Sequence, residues 1–144
     1  MIGFTCSSFD LLHAGHILML KECKDNCDTL IVGLQSDPTI DRPEKNEPAQ
    51  SMFERFLQLD AVKYIDKICV YETEADLLEL LRYIRPDVRF IGEDYHNKDF
   101  TGRTFSRLSG EIFYNKRYGY STTDLRARIA DQWYIREDEK YKNI

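Results

Sequence analysis

The 144-residue sequence has little of several features that would mark a specialised class of protein. No apolar run approaches the roughly 18 to 20 residues of a membrane-spanning helix, and no basic segment typical of a signal peptide opens the sequence. The four cysteines are too few for a disulfide scaffold, so we expect reduced thiols and a cytoplasmic location. Prolines number only four. Three of them (Pro38, Pro43 and Pro48) lie close together and predict a long loop over residues 36–49.

Positive charge is also scarce, and this limits the partners that the chain can bind. The chain contains 20 Lys and Arg and 25 Asp and Glu, which gives a net charge of −5 and a pI near 5.2. This balance argues against general binding of nucleic acid or of anionic membranes. Residues 97–128, however, hold seven bases and three acids, a local charge of +4. A basic segment in an acidic protein favours a small anionic ligand, with scattered surface charge as the alternative.

Strand-like and helix-like segments alternate along the whole chain. The apolar run at residues 29–34 is typical of a strand covered on both faces. The alternation predicts one α/β domain over residues 1–144, with a Rossmann-like, doubly wound, parallel five-stranded sheet and helices on both faces. We expect residues 131–144 to form a C-terminal tail. The expected strands are 2–6, 29–34, 67–71, 88–91 and 111–114, and the expected helices are 15–24, 51–62, 77–84 and one capped by Ser121.

Ligands of such sheets bind beyond the carboxyl ends of the strands, near helix N-termini. The segment Ser7 to His16 lies there and contains the pattern F-D-x-x-H-x-G-H directly after a strand. His13 and His16 share a helical face, Gly15 admits close approach of a phosphate, and the helix start can hold an anion. A shared zinc ion is excluded, because seven residues put Cys23 about 10 Å from His16. We expect Leu20, Cys23 and Cys27 on a buried helix face instead.

This decapeptide resembles the H-x-G-H signature of the nucleotidyltransferase superfamily, whose glycerol-3-phosphate cytidylyltransferase branch has chains of similar size. The resemblance covers nearly the whole chain. Gly92-Glu93-Asp94-Tyr95 is similar to the family's G-x-D followed by an aromatic residue, and residues 116–123 are similar to its R-T-x-G-I-S-T element. Two residues depart from the family pattern. Ser7 stands where a glycine is usual, and Lys116 replaces an arginine, which keeps the charge but loses the bidentate fork.

The resemblance implies transfer of CMP from CTP to a phosphorylated alcohol such as glycerol 3-phosphate, with release of pyrophosphate. An adenylyltransferase acting on a sugar phosphate such as a heptose phosphate is the first alternative, since such enzymes share the first motif and a similar Pro86-Asp87-Val88 strand start. A nucleotide-binding module without turnover and a protein–protein adaptor are further alternatives. The resemblance also implies a homodimer, and Mg²⁺ held by the phosphates with no metal site on the protein.

The same resemblance assigns roles to individual residues. Lys45 lies in a loop that resembles a lid whose lysine reaches the phosphates, although a solvated lysine is the simpler interpretation. Arg55 has no partner at i,i+4, which favours a phosphate contact. Asp10 and Asp37 are expected to bind the acceptor. The expected catalytic residues are His13, His16, Lys45 and Lys116, and the expected nucleotide-binding residues are Ser7, Ser8, Phe9, Gly15, His16, Arg55, Gly92, Asp94, Tyr95, Arg117, Ser121, Thr122 and Thr123.

Overall fold

The structure is a computed structural model that describes residues 1–103 and 110–142. Five parallel strands form one sheet in the order β3-β2-β1-β4-β5, which confirms the predicted α/β class and the parallel sheet. The strands are β1 Ile2–Ser7, β2 Thr29–Gln35, β3 Lys67–Tyr71, β4 Val88–Gly92 and β5 Glu111–Asn115. The helices in the described ranges are α1 Ala14–Asp25, α2 Met52–Asp60, α3 Glu74–Ile84 and α4 Thr122–Lys142, and a short 3-10 helix spans Glu93–Tyr95.

The central strand β1 marks the point where the strand order reverses. Residues after β1 build one half of the sheet through β2 and β3, and the chain then crosses to β4 and β5 on the other side. Ser7 at the end of β1 is level with Leu34 of β2, and Gly92 at the end of β4 is level with Asn115 of β5. A crevice at such a switch point is the usual ligand site of an open α/β sheet.

Two hydrophobic clusters hold helices on opposite faces of the sheet. On one face Leu20 and Cys23 of α1 pack with Phe90 of β4, and on the other Leu77 and Leu81 of α3 pack with strand residues that include Phe4. Leu20 and Cys23 are fully buried, which confirms the predicted buried face of α1 for these two residues. Cys27, predicted on the same face, lies beyond the end of the helix and is partly buried. The four cysteines are free, and burial raises the pKa of the Cys23 thiol to about 12.

Helix α2 is oriented differently from what its apolar residues suggest. It buries Arg55 and Leu59, while Phe53 is 71% exposed and Leu57 is 52% exposed. The guanidinium of Arg55, described below, turns this face inward. The apolar spacing over residues 51–62 therefore predicted the helix but not its buried side.

Helix α4 continues to Lys142, so the described part of the expected C-terminal tail, residues 131–142, is helical. Its repeat of Ile129 and Trp133 stays more than half exposed, because no element among the described residues covers it. In the described part of the chain, no helix combines the length and apolar character needed to cross a membrane.

Candidate active site

Two histidines cap the N-terminus of α1 and bind the backbone around each other. His13 is the N-cap residue, and its Nδ1 accepts a hydrogen bond from the Gly15 N–H at 3.0 Å. The Nδ1 of His16 accepts one from the His13 N–H at 3.1 Å. Because Nδ1 is the acceptor in both rings, each neutral imidazole carries its proton on Nε2. The cap thus fixes one tautomer, with the proton of each neutral ring on Nε2.

Burial favours the neutral form of both imidazoles. Burial, with a smaller contribution from His13, lowers the pKa of His16 to about 4. Burial also lowers the pKa of His13. The Nε2 of His13 lies 3.1 Å from the Thr122 hydroxyl, which connects α1 to the start of α4. A neutral donor beside a helix N-terminus can stabilise charge on an incoming phosphate.

The loop before α1 makes a sharp turn at two residues with positive φ. Phe9 has φ of 48° and Leu11 has φ of 52°, a left-handed conformation that is uncommon for large side chains. Phe9 is buried in the core, and its ring lies 5.6 Å from that of His16. The predicted contact of the Phe9 side chain with a nucleotide is therefore not supported. The Phe9 ring instead packs beside that of His16, at a tilt of 54°.

Asp10 joins three segments around the site. It is 6% exposed and accepts hydrogen bonds from the backbone N–H groups of Ala49 and Gln50 at 2.8 and 2.9 Å. Its Oδ2 also pairs with Arg126 at 2.5 Å. Since both carboxylate oxygens already have protein partners, Asp10 positions the loop before α2 and the helix α4, whereas the sequence predicted an acceptor contact. Arg126, one of the bases of the segment 97–128, is a partner of this buried carboxylate.

Arg55 is bound by backbone carbonyls and does not face a cavity. It is 3% exposed. Its Nη1 donates to the carbonyls of Ser8 and Gln35 at 2.9 and 2.6 Å, its Nη2 to that of Ser36, and its Nε to that of Gln50 at 3.2 Å. The prediction of a phosphate contact is wrong in this structure, because the guanidinium ties together the chain after β1, the chain after β2 and the start of α2.

Asp37 also serves the local backbone. Its Oδ1 accepts from the backbone N–H of Thr39 at 2.9 Å and from its hydroxyl at 2.6 Å, and these bonds lower the pKa of the carboxyl. Asp37 lines none of the cavities described below, so its predicted role as an acceptor ligand has no support in the geometry.

Three adjoining cavities lie along the carboxyl edge of the sheet. We call them the histidine, serine and arginine cavities, with volumes of about 320, 210 and 680 Å³. The histidine cavity is lined by His13, Gly15, His16, Met19, Gly92, Glu93, Asp94, Asn115, Lys116, Arg117, Tyr118, Tyr120, Ser121 and Thr122. The serine cavity is lined by Ser7, Ser8, Asp10, His16, Lys45, Asn46, Pro48, Thr122, Thr123 and Arg126. The arginine cavity is lined by Cys6, Ser7, Ser8, Gln35, Pro38, Arg42, Lys45, Tyr71, Glu74, Leu77, Arg89, Ile91, Gly92, Tyr95, Asp99, Phe100, Thr101 and Gly102.

The cavities share walls, and the shared residues are mostly those that the sequence singled out. His16 and Thr122 lie between the histidine and serine cavities. Ser7, Ser8 and Lys45 lie between the serine and arginine cavities. A ligand that extends from one cavity to the next therefore passes His16 and the two serines.

Other predicted residues fall in single cavities. Lys116 and Arg117 line the histidine cavity, where Arg117 faces Asp94 at 3.5 Å. Ser121 accepts from the Asp124 N–H at 3.1 Å, which confirms its N-cap role. Tyr95 lines the arginine cavity, away from the histidines.

The sequence analysis missed the charged residues Arg42, Glu74 and Arg89, which form what we call the floor of the arginine cavity. Arg89 is 2% exposed on β4, and Arg42 pairs with Glu74 at 3.0 Å. A charged residue inside the apolar run Val88-Arg89-Phe90-Ile91 was the available signal, since a strand interior rarely holds an unpaired charge.

The described residues offer no metal centre of their own. In the ranges 1–103 and 110–142, no three His, Cys, Asp or Glu side chains are grouped to hold a metal ion. Asp10, the acidic residue lining the serine cavity, is already paired with Arg126. Within the described ranges the cavities thus have no cluster of three such side chains to hold Mg²⁺.

Comparison with known proteins identifies a family and several relatives of this chain. Residues 4–128 match the family model described as cytidylyltransferase-like. The chain is 37% identical over 125 residues to the bifunctional protein HldE of Helicobacter hepaticus, covering 86% of this chain and 25% of that protein. It is 33% identical over 132 residues to the bifunctional protein HldE of Campylobacter jejuni, covering 91% of this chain and 28% of that protein. The chain thus spans about a quarter of the length of these curated relatives.

Solved structures have the same architecture. A lipopolysaccharide core biosynthesis protein from Thermoplasma volcanium matches with a TM-score of 0.68 and 25% identity, over 82% of this chain and 98% of that one. A pantothenate synthetase from Thermus thermophilus matches with a TM-score of 0.56 and 12% identity, over 78% of this chain and 54% of that one, which is a likeness of fold alone. With a family model covering most of its length, two capping histidines and this fold, the chain belongs to the cytidylyltransferase-like family of nucleotidyltransferases.

Proposed function

We propose that this chain transfers AMP from ATP to the phosphate group of a sugar phosphate and releases pyrophosphate. The observation that carries the proposal is the histidine cap of α1. It fixes the proton of His16 on Nε2, beside a helix N-terminus, and His16 lies between the histidine and serine cavities. That position suits a phosphate whose negative charge grows during reaction.

The choice of a sugar phosphate and ATP over glycerol 3-phosphate and CTP rests on the relatives. Several bifunctional HldE proteins are 32–37% identical to this chain over nearly all of it. The related structure with the TM-score of 0.68 is a lipopolysaccharide core biosynthesis protein, and a lipopolysaccharide core is built from sugars. These relatives favour the adenylyltransferase alternative. CTP with glycerol 3-phosphate is the competing pair.

The reaction requires positioning and charge stabilisation more than a strong base. A phosphate oxygen of the acceptor is already an anion near neutral pH, and it attacks the α-phosphorus of the nucleotide. The new P–O bond forms as the bond between the α- and β-phosphates breaks, and pyrophosphate leaves with that electron pair. No proton has to be removed from the attacking oxygen, so the site has no need of a nucleophile or a general base.

The cavities suggest where each part of the substrates binds. The nucleoside would occupy the histidine cavity, beside Lys116 and Arg117. The triphosphate would extend across His16 into the serine cavity, where Ser7, Ser8, Thr123 and Lys45 offer donors. His16 would donate from Nε2 to the α-phosphate, and His13 would assist. The acceptor would enter through the larger arginine cavity, which meets the serine cavity at Ser7, Ser8 and Lys45. Mg²⁺ would be held by the phosphates.

A grid of substrates tests the proposal. ATP, CTP, GTP and UTP are each combined with hexose and heptose 1-phosphates and with glycerol 3-phosphate, in the presence of Mg²⁺, and pyrophosphate release is measured. We expect release with ATP and a sugar phosphate. Release only with CTP and glycerol 3-phosphate would overturn the proposal in favour of the competing pair. Nucleotide binding by calorimetry without release for any pair would assign a binding module without turnover.

A further inference from the structure

The arginine cavity contains a buried cation, Arg89, to which the proposed reaction assigns no role. Arg89 is 2% exposed, and its Nη1 donates to the carbonyl of Thr101. Its Nε has no hydrogen-bond partner, and no carboxylate pairs with it among the described residues. Residues 104–109 contain no Asp or Glu in sequence, so that stretch has no acidic side chain to offer. A buried charge is ordinarily paired, and Arg89 is not.

Two acidic side chains line the cavity, Glu74 and Asp99, and neither forms an ion pair with Arg89. Asp99 is exposed, and its Oδ1 accepts a hydrogen bond from the Phe100 N–H at 3.0 Å. Glu74 is taken by Arg42, at 3.0 Å, and by the Thr101 hydroxyl, at 2.8 Å. The Phe100 ring lies 5.2 Å from the Arg89 guanidinium carbon and holds it by a cation–π contact. Lys45 adds a further positive charge on the side of the serines. The floor of the cavity therefore carries a fixed, desolvated guanidinium that an anionic ligand would complete.

Arg89 starts deeper in the sheet than the strand ends that border the serine cavity, because it is level with Phe4 of β1 and lies three residues before Gly92. Gly92, at the end of β4, and Arg89 both line the cavity, and three residues of strand put their Cα atoms about 10 Å apart. The guanidinium contacts Phe100 and Thr101, whereas Ser7, Ser8 and Lys45 form the boundary with the serine cavity. A volume of about 680 Å³ is also far larger than one phosphate needs.

We infer that the acceptor is a sugar phosphate with a second anionic group, a carboxylate or another phosphate, and that Arg89 binds this group at the end of the sugar remote from the reacting phosphate. The inference rests on the proposed sugar-phosphate acceptor and deepens it. Arg89 is then the residue that selects sugar acid phosphates and sugar bisphosphates over sugar phosphates with a neutral far end. A guanidinium suits both groups because its fork of N–H donors matches their oxygens.

Three acceptors that differ only at C6 test this selection. Glucose 1-phosphate has a neutral hydroxyl there, glucuronic acid 1-phosphate has a carboxylate, and glucose 1,6-bisphosphate has a phosphate. The manno and galacto series extend the set. The kcat/KM for pyrophosphate release and the Kd from calorimetry are measured for each. We expect the two acceptors with a second anion to be preferred by about tenfold or more, the scale of a hydrogen bond to a charged group. Comparison of glucuronic acid 1-phosphate with glucose 1,6-bisphosphate then shows whether the site prefers a carboxylate or a phosphate as the second anion.

Variants of Arg89 separate binding from folding. Arg89→Met should remove the preference by lowering kcat/KM for glucuronic acid 1-phosphate and glucose 1,6-bisphosphate toward the value for glucose 1-phosphate, and Arg89→Lys should retain part of it. Arg82→Gln removes an equal charge from the exposed part of α3, where Arg82 pairs with Glu79, and should keep the preference. Tm should stay level or rise in Arg89→Met, because an unpaired buried charge is replaced by an apolar side chain. A purely structural Arg89 would lower Tm and reduce activity with every acceptor equally.

The outcomes distinguish this inference from the proposed function. Equal Kd values for the three acceptors in the unmodified protein, or no acceptor binding at all, would overturn the inference even when pyrophosphate is released. A binding preference that Arg89→Met abolishes, in a protein that releases no pyrophosphate from any nucleotide, would sustain the inference and remove the proposed function.

Discussion

At the residue scale, the tautomer of His16 is fixed by a backbone hydrogen bond and its charge is removed by burial. Its Nδ1 is used by the His13 N–H, and burial lowers its pKa to about 4. The sequence identified both histidines and their shared face. It could not reveal which nitrogen carries the proton, because that depends on the extended backbone of His13 at the N-cap.

The first prediction concerns catalysis by His16. His16→Ala should lower kcat for pyrophosphate release by at least about 100-fold, the scale of a preorganised transition-state donor. His96→Ala is the matched control, because His96 is an exposed histidine that lines none of the three cavities. The measurement is the steady-state kcat for pyrophosphate release by both variants, after each has been shown to be folded. Near-normal turnover of folded His16→Ala would remove this residue from the mechanism.

The second prediction concerns acid stability. The folded pKa of His16 is about 4 and the unfolded value is about 6.5, so below pH 6.5 the unfolded chain binds the proton more readily. The free energy of unfolding should therefore fall as pH falls from about 6.5 to about 4, by at most about 3 kcal/mol. Urea unfolding at several pH values measures the slope. His16→Gln should flatten it, and an unchanged slope in that variant would contradict the assignment.

The third prediction concerns Arg55. Arg55→Met should lower the free energy of unfolding by at least about 3 kcal/mol, because four backbone carbonyls near the site lose their donor. Gln58→Met lies on the exposed side of the same helix and should change stability by less than about 0.5 kcal/mol. Urea unfolding of the two variants gives the comparison. Equal stability of the two would mean that the carbonyls find other donors.

At the scale of elements, the sequence predicted the strands and the existence of the helices well, and their environment less well. A continuous apolar run identified β2. The inward side of α2 was missed because Arg55 donates to carbonyls of two distant segments as well as to that of nearby Gln50, and spacing within a helix does not encode those contacts. The roles of Asp10 and Phe9 were missed for the same reason, since both depend on partners from other elements.

The fourth prediction concerns the close packing between α1 and the loop before α4. A Cβ at Gly15 would lie 2.8 Å from Cε1 of His13 and 2.9 Å from the Tyr120 carbonyl oxygen. Helix propensity favours alanine by about 1 kcal/mol, but the backbone oxygen cannot move cheaply. Gly15→Ala should therefore lower both Tm and kcat, the latter by about tenfold. Gly119→Ala, which meets nothing within 4 Å, should behave like the unmodified protein. Equal Tm and kcat in the two variants would count against close packing between α1 and this loop.

At the scale of the whole molecule, the site is assembled where two halves of the sheet meet. The net charge of −5 belongs to the chain as a whole, while the three cavities gather cations from separate segments, namely Arg42, Lys45, Arg89, Lys116, Arg117 and Arg126. The predicted basic segment 97–128 contributes only three of these. The histidine and serine cavities were predictable in outline from motifs at strand ends. The arginine cavity was not, because Arg89 of its floor lies in a strand interior.

The fifth prediction concerns the end of α4. Residues 131–142 are exposed apart from the partly buried Glu137, whereas Arg126 holds Asp10 before this segment begins. Removal of residues 131–144 should therefore change the free energy of unfolding by less than about 1 kcal/mol and leave unfolding cooperative. Urea unfolding of the shortened and full chains tests this. Loss of the cooperative transition would show that the exposed half of α4 is needed for the fold.

The recognition of Arg55 by main-chain oxygens has a consequence for how this protein tolerates mutation. Every amino acid supplies the same carbonyl, so Ser8, Gln35, Ser36 and Gln50 can be exchanged without removing an acceptor from this contact. Only arginine presents donors from Nε, Nη1 and Nη2 in one plane. A saturation library selected for folding should thus be permissive at those four positions, as far as this contact is concerned, and nearly invariant at position 55. The site can change its chemistry along these loops while one side chain keeps their paths fixed.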